Sequence, residues 1–293
     1  MNTISVFLKR HSLGMGILLM FAFTWPIDLA YSGLLPFQVP FLVYLFLGWG
    51  FVVAAVLMTW LTLGKDAVLS LLKRYLLWRV SWKWFLAAFL LEPFLLVLGV
   101  IVNALVTGVS PDFSDVMAYQ IFGKSATLWL FIVPFFVIDF ICNGEEIGWR
   151  GYVLPRLQAR HSALISTLIV GVIWGFWHLP KFLTDWNAVS FAWFMAHTMA
   201  AAFIYTWVYN GTKGSLLLVT ILHASSNTAG VFLPIANTVS SQNMGAYIGY
   251  VLFEWVAAAV IVLAAGPERL SRTEEKQVQE DPGATAAVIL QEA

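Results

Sequence analysis

Long apolar runs alternate with short polar intervals along the whole chain, at about residues 14–35, 39–63, 84–109, 126–160, 162–183, 190–210, 214–236 and 244–265. A helix needs about 20 apolar residues to cross the hydrocarbon core. The pattern therefore predicts an all-α polytopic membrane protein of about eight transmembrane helices. The first run is too long, and too poor in small-residue cleavage signals, for a removable signal peptide. Residues 65–83 break the rhythm, mixing five cations with Leu, Trp and Val. That mixture predicts an amphipathic helix lying at the interface. From Gly266 the pattern turns polar, which divides the chain into a transmembrane domain, 1–265, and a cytoplasmic tail, 266–293, expected to be disordered.

Composition sharpens the class. The chain is 60% hydrophobic and 16% aromatic, but only 11% charged, against about 25% charged in soluble domains. With 16 basic and 16 acidic residues the net charge is zero, which excludes a basic nucleic-acid binder. Cys142 is the single cysteine, so neither an intrachain disulfide nor a cysteine-based zinc cluster can form. With eight spans, both termini share one side. Assigning that side to the cytoplasm places 13 Lys and Arg there against 2 opposite, with Arg150 left inside the membrane, as the positive-inside rule requires. No internal repeat of the transporter kind is visible.

Ionisable residues inside a bilayer are costly and mark function by default. Asp28, Glu92 and Glu254 lie isolated on separate runs and are best read as structural interhelical hydrogen-bonders. His197 has no partner motif and reads as packing or support. Glu145-Glu146-Ile147-Gly148-Trp149-Arg150 is different. Glu146 and Arg150 stand four apart on one helix face and can pair; Glu145, rotated by about 100°, is left for chemistry. Counting from the turn near His161, Glu145 lies 16 residues before it and His178 17 after it. Two antiparallel neighbours would bring them to one depth, about 24 Å from the turn. His223 and Asn227, again four apart, share a face at an overlapping depth on the seventh span.

A carboxylate, two imidazoles and an amide can hydrolyse an amide bond. Glu145, alone or with His178, can take a proton from water, while His223 and Asn227 can donate to the oxyanion. Equally, Glu145, His178 and His223 make a three-ligand zinc set with an open water position. The residues leave both mechanisms open.

Three motifs occur in order: Glu145 to Arg150 with Gly151 and Pro155-Arg156-Leu157 following, Trp174-Gly175-Phe176-Trp177-His178, and His223-Ala224-Ser225-Ser226-Asn227. Together, over about residues 120–235, they resemble the CPBP family of intramembrane proteases. That family comprises the type II CAAX prenyl endopeptidases and the bacteriocin-processing Abi proteins. One position departs: Trp174 stands where the family usually has Phe, a change expected to affect packing more than chemistry. The resemblance implies eight helices around a cavity open to the cytoplasm and to lipid, in which a prenylated protein loses its C-terminal tripeptide. It implies that Glu145 and His178 activate water, Glu146 and Arg150 give structural support, and His223 and Asn227 hold the oxyanion. Members are labelled metalloproteases, yet the prenyl proteases look workable as glutamate-dependent enzymes without metal. In a bacterium, where prenylated substrates are not expected, the substrate would be another peptide or membrane protein and the membrane the plasma membrane. The rival classes are a non-catalytic membrane scaffold, for example one conferring self-immunity to a bacteriocin, and a transporter using the same groups as a proton relay.

Overall fold

A computed structural model of the chain describes residues 3–125, 127–183, 189–235 and 243–272. Among these residues there are helices and no strands. The main elements are α1 (Ser12–Tyr31), α2 (Trp49–Leu63), α3 (Lys65–Lys73), α4 (Trp82–Thr107) and α5 (Ile132–Cys142). They are followed by α6, which starts at Glu145–Gly148 and runs on through Trp149–Val153 and Leu154–Gln158, and by α7 (Ala163–Trp177), α8 (Phe191–Gly211), α9 (Leu216–Phe232) and α10 (Met244–Ala265).

Five stretches are long and apolar enough to span a membrane: α1, α4, residues 128–158 containing α5 and α6, α8 and α10. The shorter apolar helices α2, α7 and α9 complete the eight predicted segments. The protein is an integral membrane protein, and its outward face is correspondingly apolar: Leu105, Val106, Leu130, Val133 and Leu263 are all exposed. Such side chains are at home against lipid rather than water.

Packing follows small residues. Helices α4 and α10 lie against each other where a Cβ on Gly99 would come within 2.5 Å of the Ala246 carbonyl. Close backbone approach of this kind is the usual driving contact between membrane helices. Helix α7 packs on α8, α8 on α10, α9 on α4 and α5, and α1 on α2.

Three expectations change. The amphipathic segment is helical only over α3 and a 3₁₀ turn at Arg74–Leu76. Residues 77–81 leave the helix, because Arg74 donates to the Tyr209 hydroxyl on α8 and Leu77 accepts from the Ser215 hydroxyl at 2.7 Å. The fourth run is not one helix but breaks at Asn143 and Gly144. Gly144 makes this break possible: its missing Cβ would sit 2.5 Å from the Gly48 carbonyl, so the loop lies directly on the backbone before α2. Past the break, Trp149–Val153 form a π-helical turn, ahead of Pro155, whose missing N–H frees the carbonyl four residues back.

The third change concerns the tail. Residues 266–272 fold back onto the bundle: the Pro267 and Glu268 carbonyls accept from the Leu164 and Ala163 amides, both at 2.9 Å. Leu270 is fully buried and the Arg269 carbonyl accepts from Asn210. The rest of the expected tail, 273–293, lies outside the described residues.

Candidate active site

The site is built on α6, α7 and α9. Glu145 opens α6 immediately after the break, with its amide capped by the Asn143 side chain at 3.1 Å. His178 ends α7, where Pro180 stops the helix and a 3₁₀ turn, Leu179–Phe182, follows. The break lies before Glu145, outside the α6–α7 hairpin on which the depth count was made.

Glu146 and Arg150 pair as the spacing predicts. The guanidinium Nη1 reaches both carboxylate oxygens at 3.1 Å, with both side chains fully buried. Among the described residues Arg150 Nε and Nη2 have no hydrogen-bond acceptor. Instead the guanidinium carbon lies 4.8 Å from the Trp174 ring centre and 4.6 Å from that of Tyr205, so aromatic faces take the place of acceptors. Glu146 has a second partner that spacing does not reveal: His223 Nδ1 lies 2.8 Å from its Oε1. A carboxylate only accepts, so Nδ1 carries the proton. His223 Nε2 is then bare in the neutral ring and becomes a donor only in the imidazolium, whose charge would rest against Glu146.

Glu145 is held differently. Its Oε2 accepts from the Trp174 indole N–H at 2.8 Å and from the Trp149 indole at a longer 3.4 Å. Arg150 does not pair with it, as the helical rotation requires. His178 Nδ1 lies 2.9 Å from the Trp174 carbonyl, which also only accepts, leaving His178 Nε2 without a proton in the neutral ring. The two residues assigned to water activation are thus linked through one tryptophan. The same Trp174 ring meets His223 edge-on at 5.7 Å. Its change from Phe is therefore chemical as well as steric, where packing was expected to be affected more than chemistry.

Asn227 on α9 points its amide at Asp139 on α5, at 3.2 and 3.3 Å from the two oxygens. One N–H can serve both contacts, and the other remains. Asp139 had no role from sequence; the signal is only that it sits four residues before the break. Glu145, His178, Asp139 and Asn227 are half-buried, while Glu146, Arg150 and His223 are buried. Among the described residues no three His, Cys, Asp or Glu side chains are grouped closely enough to hold a metal ion. The arrangement of Glu145, His178 and His223 therefore does not fit the zinc set drawn from spacing.

A second polar cluster joins α4, α8 and α10. Glu92 accepts from the Tyr250 hydroxyl at 2.7 Å, and His197 Nδ1 lies 2.8 Å from Glu254. Glu92 and Glu254 are thus interhelical bonders as expected, and His197, which has no partner motif in the sequence and reads as packing or support, is held by Glu254. Asp28 departs from expectation: it is buried, yet neither oxygen has a hydrogen-bond partner among the described residues.

Comparison with known proteins finds similarity over the same stretch. Residues 124–229 match the family described as type II CAAX prenyl endopeptidase Rce1-like. That span contains all the candidate residues from Glu145 to Asn227. The chain is also similar to CAAX prenyl protease 2 of Methanococcus maripaludis, 25% identical over 186 residues. The alignment covers 59% of this chain and 63% of that relative, short of two thirds of its length. The family resemblance carried by the three motifs is borne out.

Proposed function

We propose that the protein is an intramembrane endopeptidase of the type II CAAX prenyl kind. Its substrate would be a membrane-associated, lipid-modified protein or peptide cut near its C-terminus. The observation that carries this reading is the Glu145 carboxylate, oriented by two indoles and left half-buried, with His178 tied to the same tryptophan, within the segment that matches the family.

The chemistry follows from the donors present. Glu145 removes a proton from water, and the water oxygen attacks the scissile carbonyl carbon. His178, with a bare Nε2, accepts or relays that proton. The carbonyl becomes a tetrahedral oxyanion, met by the remaining Asn227 N–H and by His223 Nε2 in its imidazolium form. Collapse re-forms the C=O bond, breaks the C–N bond and sends the proton to the leaving amine. Glu146 and Arg150 hold His223 and the α6 backbone. No step runs through a metal, and a zinc requirement is tested by activity after exhaustive chelation with elemental analysis: retained activity in metal-free protein supports the glutamate mechanism, and loss restored by zinc overturns it.

We place both termini and the substrate entrance on the cytoplasmic face, on the lysine and arginine count. The decisive experiment uses Glu145→Gln in membranes with a prenylated peptide. The variant is expected to fold, with cleavage reduced about a thousandfold or more, as loss of a general base within a concerted site implies. Full cleavage overturns the mechanism; a phenotype unaffected by the variant at preserved abundance indicates the scaffold instead.

A further inference from the structure

Trp174 does three things at once. Its indole N–H donates to Glu145 Oε2 at 2.8 Å, its carbonyl takes the His178 Nδ1 proton at 2.9 Å, and its ring lies beside the Arg150 guanidinium. The ring itself is fixed. Tyr205 and His223 pack against it with centroids at 5.3 and 5.7 Å, and Trp174 is only 4% exposed. Trp149 adds a second, longer indole donor to the same oxygen. No hydrogen bond to Glu145 Oε1 occurs among the described residues. The two oxygens of this carboxylate are therefore inequivalent: one faces donors in the protein wall, the other is left for a ligand.

We propose that Trp174 is a positioning residue, which fixes the rotation of the Glu145 carboxylate so that Oε1 is the oxygen that takes the proton from water. This rests on the endopeptidase reading above. A phenylalanine in its place would fill much of the volume and still offer the backbone carbonyl to His178. It would leave only the longer Trp149 contact to hold the carboxylate about its last torsion, a broad, roughly two-fold rotor. The indole supplies what packing alone cannot, a charge-assisted bond of fixed direction.

The test separates the N–H from the shape. Trp174 is replaced in the full-length protein by 3-benzothienylalanine, in which sulfur takes the place of the N–H, and separately by Phe. Cleavage of a farnesylated peptide with three residues beyond the modified cysteine is measured beside wild type and Glu145→Gln. The expected result for both replacements is a fall in kcat of about tenfold or more, the scale of a hydrogen bond to a charged group, with KM within about twofold and unchanged thermal unfolding for the benzothienyl protein. A benzothienyl protein with wild-type kcat overturns the proposal. A second readout needs no turnover: the ¹⁵N-labelled Trp174 indole resonance is expected to move upfield in Glu145→Ala, and an unmoved resonance overturns the contact. Wild-type protein that leaves the peptide intact overturns the endopeptidase reading instead, and the indole resonance then decides the geometry by itself.

Discussion

The bundle contains two buried clusters built from similar parts. Each combines carboxylates, histidine and a tyrosine ring, with two histidines, His178 and His223, in the first and one, His197, in the second. Around α6, α7 and α9, Glu146 is fully paired, while Glu145, His178 and Asn227 keep surface and unused hydrogen-bonding atoms. Between α4, α8 and α10, Glu92 and Glu254 have no exposure, and Tyr250 and His197 are committed to them. The first cluster also contains an arginine; among the described residues the second has no Lys or Arg in its hydrogen bonds. The comparison teaches that an ionisable residue in a membrane protein is not by itself a catalyst. What separates the clusters is the carboxylate: Glu145 keeps exposure and an unused oxygen next to the Glu146–Arg150 pair, whereas Glu92 and Glu254 are enclosed.

That contrast can be broken most sharply on activity. The equivalent amide substitution is expected to abolish cleavage at Glu145 and to leave kcat within about threefold at Glu254, since hydrogen bonds remote from the reacting atoms contribute little to the barrier. Parallel assays of Glu145→Gln and Glu254→Gln check it, and equal losses would erase the distinction. Next in size is stability. Arg150→Ala leaves Glu146 buried with only His223 and removes the cation lying over Trp174 and Tyr205. Breaking a buried pair in this way costs about 3–5 kcal/mol, and thermal unfolding in detergent should show it; an unchanged midpoint contradicts the structural role. The smallest effect is expected at Tyr250→Phe, which removes one hydrogen bond to Glu92, at about 1 kcal/mol. A larger loss there, or a fall in kcat, would make the second cluster more than a strut.

The sequence made the periodic features legible. Eight apolar segments, the Glu146–Arg150 pair and the shared face of His223 and Asn227 all follow from helical spacing, which is local. The contacts between helices were not legible, because they depend on how each helix is rotated against its neighbours. His223 meeting Glu146, 77 residues away, is one case; Asn227 meeting Asp139 is another. The break before Glu145 had a local signal, since Asn143-Gly144 is a common turn dipeptide, but the apolar run around it masked the turn. Trp174 shows the limit most clearly. Its identity was visible as a departure from the family, and its role became visible only when the direction of one N–H was known.

The docked segment after α10 has a practical consequence for handling the molecule. The carbonyls of Pro267 and Glu268 cap the first amides of α7, the helix whose far end bears Trp174 and His178. A reporter or purification handle grafted before Arg272 would strip that cap and leave two backbone donors bare at the foot of the helix. A tether attached beyond it leaves the anchorage whole, and tension applied there is borne first by Arg272 on the Ala264 carbonyl, by Leu270 in its socket and by the Arg269 carbonyl on Asn210, and only then by these two bonds.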